Sequence, residues 1–141
     1  MKKILLVLAL VLGLTIPAIS QAQMSDMGLD VYNCHWYARH AGTDISRNGV
    51  TYQIIVIEVY MYNSAEARAF YEVGPECYAI TYVRVVDCKG LRFAGIARTL
   101  WNQNKEKYYT SPVLDEWDWI TLNPSNNTKM LGIARRFCGT L

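Results

Sequence analysis

Beyond residue 19 the chain has no apolar run long enough to cross a membrane as a helix, and it has little of what most reaction chemistry uses. There is no GxSxG nucleophile turn, glycine-rich phosphate loop, HExxH pair or calcium loop. No CxxC pair occurs, so neither a zinc site nor a redox dithiol has its usual spacing. Histidine is scarce. His35 and His40 are the only two, five residues apart, which in a strand puts them on opposite faces. An excess of one charge is missing too. Lys and Arg number 14 against 12 Asp and Glu, and Lys2 and Lys3 near the start account for the whole difference. A global basic field for nucleic acid is therefore excluded for the rest of the chain. No cofactor and no metal is expected.

What is present begins with an export signal. Met1-Lys2-Lys3, an almost unbroken apolar run from Ile4 to Ile19 and small residues at Ser20 and Ala22 predict a signal peptide over residues 1–22. No cysteine stands near the cleavage region, so a lipid anchor is not expected. The protein should act in the periplasm or outside the cell, as one domain over residues 23–141 with no membrane segment left after cleavage. That segment holds all four cysteines, Cys34, Cys77, Cys88 and Cys138. An even count in an exported chain predicts two disulfides, and three pairings are open. The preferred one joins Cys34 to Cys77 and Cys88 to Cys138, because Cys88 ends a strand and Cys138 ends the last periodic segment.

That strand, Tyr78 to Cys88, is the clearest part of the pattern. β-branched and aromatic residues dominate it, with no glycine or proline inside. Tyr78, Ile80, Tyr82, Arg84, Val86 and Cys88 share one face, and Ala79, Thr81, Val83, Val85 and Asp87 the other. Neither face is purely polar, which predicts cover on both sides. Before it, Gln23 to Asp30 reads as loose and Val31 to Arg39 as a first extended segment. Gly42 to Gly49 reads as turn, with Asn48-Gly49 a hairpin signal, and Thr51 to Tyr62 as the longest strand. Asn63 and Glu66 have capping-box spacing ahead of alanines 65, 67 and 69, which predicts a short helix ended by Gly74-Pro75. After it come strands over Leu91 to Trp101 and Lys107 to Ser111, and a short one over Trp117 to Leu122. From Asn126 a helical stripe of Met130, Ile133, Ala134 and Phe137 leads to Cys138, with Gly139 ending it. The fold class expected is α+β: a small antiparallel sheet of five or six strands, the last helix packed on it, a short helix after the long strand, and disulfide staples.

The order of these pieces resembles the surface-adhesin protein E-like domain family of Gram-negative bacteria. The resemblance rests on an extended start around Trp36, Asp44-Ile45-Ser46-Arg47-Asn48-Gly49 before the long strand, and Asp87-Cys88 closing the central one. It continues through the Arg92 to Trp101 strand, Trp117-Asp118-Trp119-Ile120, Pro124-Ser125 and a helix ending in Cys138. It implies an α+β domain with Cys88 bridged to Cys138, and a surface protein that binds host matrix and plasma proteins, laminin and vitronectin among them. The chain departs from the pattern in the extra cysteines Cys34 and Cys77, the alanine-rich helix after Tyr62 and the lack of a lipoprotein cysteine.

Three functional classes follow. The first is an exported, adhesin-like module that binds a protein or cell-surface component. The second is an enzyme inhibitor or an envelope structural protein. The third is a small hydrolase, which would need a pocket joining a histidine to Glu58 or another carboxylate. The binding module is the leading expectation, because ten tyrosines and four tryptophans are a heavy aromatic load and no catalytic set assembles. Its candidate contact surface is Arg92 and Arg98 with Trp101, Tyr108 and Tyr109, since arginine and aromatic anchors concentrate binding energy.

Overall fold

Residues 24–61, 64–125 and 127–139 are described by a computed structural model of the chain. The expected signal peptide and Asn63 lie outside them. The strands are β1 (Ser25–Leu29), β2 (His35–Arg47), β3 (Val50–Tyr60), β4 (Cys77–Asp87), β5 (Arg92–Asn102), β6 (Lys107–Thr110) and β7 (Ile120–Thr121); the helices are α1 (Ala65–Tyr71) and α2 (Thr128–Cys138). The strands form one antiparallel seven-stranded sheet in the order β1 to β6, with β7 beside β5.

The sheet is larger than the sequence predicts, for two local reasons. The segment before Asp30 is a strand, pairing Ser25 with Ala38 and Leu29 with His35. It holds few apolar residues because it is an edge, so alternation had little to show. Residues 42–47 belong to β2, whose pairing with β3 shifts register between His40 and Asp44. That irregularity absorbs Gly42 and the polar residues that read as turn. Only Asn48 and Gly49 turn the hairpin, with φ of 52° and 76° between the paired Arg47 and Val50, as a two-residue primed turn requires.

β4 is covered on both sides, which explains why neither of its faces is polar. On one side Ile55, Ile57, Val59, Ile80, Val86 and Phe93 pack against Met130, Ile133 and Ala134 of α2 and against Ala67 and Tyr71 of α1. On the other, Tyr52, Ile54, Val56, Val83, Val85, Ala94 and Ile96 lie under Val113, Trp117 and Trp119. Two arginines hold that second cover down. The Arg47 guanidinium is 3.6 Å from the centre of the Trp117 ring, and that of Arg92 is 4.1 Å from Trp119. The short helix α1 starts one residue later than the Asn63 spacing suggests: the Ser64 hydroxyl accepts from Ala67 N at 3.2 Å. It stops ahead of Gly74, at Glu72, which takes the left-handed conformation at φ 57°.

Cys88 is bonded to Cys138 with a Cα separation of 5.6 Å, tying the end of β4 to the end of α2. The expected Cys34 to Cys77 bridge is not formed; both side chains are buried thiols. The reason is the strand order. β3 runs between β2 and β4, with Tyr60 paired to His35 on one side and to Ala79 on the other. Two interstrand spacings put the cysteine-bearing ends roughly 9 to 10 Å apart, beyond the 7 Å or so that a disulfide spans. The Cys34 thiol faces Tyr32 O and that of Cys77 faces Ala79 O.

The β4–β5 turn carries a testable device. Asp87 accepts from Gly90 N at 2.9 Å and from Arg92 Nε at 2.8 Å. Burial alone would raise its pKa, but the Gly90 amide and the Arg92 guanidinium outweigh it and hold the carboxyl below its usual value. A carboxyl lowered on folding stabilises the protein above its unfolded pKa, and that contribution is lost as pH falls through the folded one. Arg92 is partly open to solvent, so Asp87→Asn should cost about 1 to 2 kcal/mol at pH 7. The gap between variant and wild type should close as the pH drops below about 4. Urea melts at pH 7 and pH 2.5 check this, and a gap of equal size at both would contradict it.

Candidate functional site

The site is built on the middle of β4 and β5, on the face that carries the helices. Cross-strand pairs there are Tyr82 with Arg98, Arg84 with Gly95, and Val86 with Phe93. Between the first two pairs the register shifts, so that Ile96 is an extra residue opposite β4. This bulge breaks the alternation of β5. Ala94 and Ile96 pack in the tryptophan-covered layer, while Phe93 and Leu100 pack in the helix-covered one. Strict alternation would put Arg92 and Arg98 on one face. The bulge sends Arg92 to Trp119 and Arg98 to the helix side, where its Nη1 donates to Tyr71 O at 3.2 Å.

Above this patch the sheet is left open between the end of α1 and the start of α2. The opening is a cavity of about 510 Å³ with aromatic walls of Trp36, Tyr71, Tyr82 and Phe93, into which Arg84, Arg98 and Lys129 bring positive charge. A second cavity of about 370 Å³ continues past Arg84 and Arg98 toward Gly95, Pro112 and Leu114. Gly95 keeps that continuation open, since a Cβ there would meet nothing within 4 Å.

The charges are unequally matched. Asp30 is saturated locally: one oxygen accepts from Tyr32 N at 2.8 Å and Cys34 N at 3.0 Å, the other from Trp36 Nε1 at 3.1 Å and from the Tyr71 hydroxyl. Burial, and then the Asp30 carboxylate, push the Tyr71 phenol well above its ordinary pKa, so it stays a donor. Lys129 Nζ donates to Met27 O at 2.7 Å. Arg84 lies over aromatic rings: its guanidinium carbon is 4.4 Å from the Tyr82 ring centre, 5.2 Å from Phe93 and 6.0 Å from Trp36. Among the described residues it makes no hydrogen bond and no ion pair. Burial lowers its pKa, with the phenols of Tyr82 and Tyr71 acting in the opposite sense. The first turn of α2 adds no carboxylate, and the Asn127 side chain donates to Thr121 O at 3.2 Å instead of capping the helix.

The residues expected to form a contact surface are dispersed. Arg98 lines the cavity; Arg92 is bound to Asp87 on the other layer. Trp101 is 3% exposed and donates to Thr81 Oγ1 at 2.9 Å, while Tyr108 and Tyr109 are open on β6. Each histidine pairs with a nearby carboxylate, His35 with Asp26 at 2.6 Å and His40 with Asp44 at 2.8 Å, and neither lines these cavities. Glu58 is buried and accepts from the Tyr60 hydroxyl at 2.6 Å. Among the described residues no three His, Cys, Asp or Glu side chains converge as metal ligands. Arg84 was visible in sequence as a cation interrupting the Ile80, Tyr82, Val86 face, whereas Lys129 and Tyr71 reach the site only through tertiary packing. Compared with known proteins, the chain matches no family model, no curated protein and no solved structure.

Proposed function

We propose that this is an exported, adhesin-like binding module that holds a protein or cell-surface component outside the cytoplasm through the cation–aromatic cavity, and performs no reaction on it. The supporting observation is Arg84, a guanidinium on an aromatic floor with no protein acceptor. The guanidinium is half-buried, so water reaches it in the open cavity, and a partner that excludes that water must supply an acceptor in its place. Arginine and aromatic side chains are also the usual anchors of protein contacts. The disulfide suits an oxidising compartment.

Purified laminin and vitronectin, named by the family resemblance, are the first ligands to test, followed by other matrix and plasma glycoproteins. The assay is surface plasmon resonance on the oxidised protein. Saturable binding weakened at least about tenfold by combined Arg84→Gln and Arg98→Gln supports the reading, a loss of about 1.4 kcal/mol. Binding that ignores those changes would move the contact elsewhere, with Tyr108 and Tyr109 on β6 the next candidates. Turnover of an ester, peptide or glycoside that is lost on changing His35 or His40 would replace the reading with a hydrolase.

A further inference from the structure

Resting on the reading of this cavity as the binding site, we infer that the group it takes is a carboxylate on an apolar stem, presented as a free organic acid or as the C-terminal carboxylate of a partner chain. The charge arrangement argues first. Arg84, Arg98 and Lys129 line the cavity with Asp30 and Glu72, so one more negative charge balances the site. A phosphate dianion would overshoot that balance.

Geometry argues next. Arg84 and Arg98 sit on neighbouring strands, one cross-strand pair apart, and both line the two cavities. A guanidinium presents a planar fork that fits the two oxygens of a carboxylate. With rings of Tyr82, Phe93 and Trp36 around Arg84, such a pair would be shielded from water and stronger than one at an open surface. The stem has somewhere to go. The space past Arg84 runs over Gly95, the one position in this row without a side chain, toward Pro112 and Leu114. Together the cavities have the size of ordinary small-ligand sites, which run from roughly 300 to 1,000 Å³.

The test uses the exported, oxidised protein and reads binding by calorimetry and by tryptophan fluorescence. The free-acid probe is 4-phenylbutyrate against its neutral amide, with inorganic phosphate as competitor. The protein-end probe is an acetylated apolar tripeptide ending in phenylalanine, with a free carboxylate against the same peptide amidated. Each acid is expected to bind at least about tenfold more tightly than its amide, with phosphate a poor competitor. The tighter of the two acids identifies the source. Arg84→Lys, which keeps the charge and removes the fork, should weaken the acids severalfold. Gly95→Leu, which leaves both arginines in place and fills the groove, should abolish binding of the stem, provided circular dichroism matches wild type. Equal affinity for acid and amide, stronger binding of phosphate, or undiminished binding by Gly95→Leu overturns the inference. If laminin or another protein partner binds through Arg84 and Arg98 but neither acid does, the inference fails while the binding-module reading stands. If the acids bind but no protein partner depends on those arginines, the inference stands and that reading fails.

Discussion

Replacing Cys88 and Cys138 together by alanine should lower the unfolding free energy by about 4 kcal/mol, the loop-closure value for a cross-link spanning 50 residues. Domains of this size are commonly stable by only about 5 to 15 kcal/mol, so the variant should sit near its unfolding transition at 37 °C. The effect should be large because of where the bridge lies. It fixes the last turn of α2 to the end of β4. Elsewhere α2 is held by three buried side chains, by Lys129 on Met27 O and by Gln53 Nε2 donating to Phe137 O at 3.0 Å. Urea melts with and without dithiothreitol measure it. Reductant should shift the wild type and leave the double variant unmoved, whereas Cys34→Ala with Cys77→Ala should retain the full reductant response. A wild-type shift below about 1 kcal/mol would mean that strain in the bridge offsets the entropy, and a lost response in the second variant would restore the Cys34 to Cys77 bridge.

Strands with strong alternation were legible: β3, β4 and β5 fall within a residue or two of where period two places them, and α2 falls within two residues of where its helical stripe places it. β1 was not, because an edge strand needs no apolar face. The second half of β2 was hidden because Gly42, Thr43 and Asp44 carry turn chemistry that a register irregularity accommodates. The candidate site was half legible. Arg84 within an apolar face was a visible anomaly, and Arg98 was singled out for contact. The pairing of Arg98 with Arg92 failed on one extra residue in β5, because a bulge leaves no mark in alternation until its partner strand is known. Cys34 and Cys77 failed for a related reason: counting cysteines says nothing of the strand that separates them.

The helix that closes the first layer allows a sharper test of packing. Met130, Ile133, Ala134 and Phe137 form one stripe in sequence, and by size alone Phe137 should dominate it, at about 3 to 5 kcal/mol for truncation of a fully buried phenylalanine. The structure ranks them otherwise. Ile133 is 0% exposed in the middle of the helix, facing the sheet, whereas Phe137 is only partly buried and packs at the margin of the same core. The cost of a truncation depends on the cavity it leaves, and a half-open position lets water and neighbours fill the space. Ile133→Ala should therefore cost about 3 to 4 kcal/mol and Phe137→Ala about 1 to 2. Both variants keep the Cys88–Cys138 bridge, so the cross-link contribution cancels from the comparison. Urea melts of the oxidised proteins give the two values. A Phe137→Ala loss equal to or larger than that of Ile133→Ala would mean that α2 is rotated about its axis, with its last turn, rather than its middle, seated on the sheet.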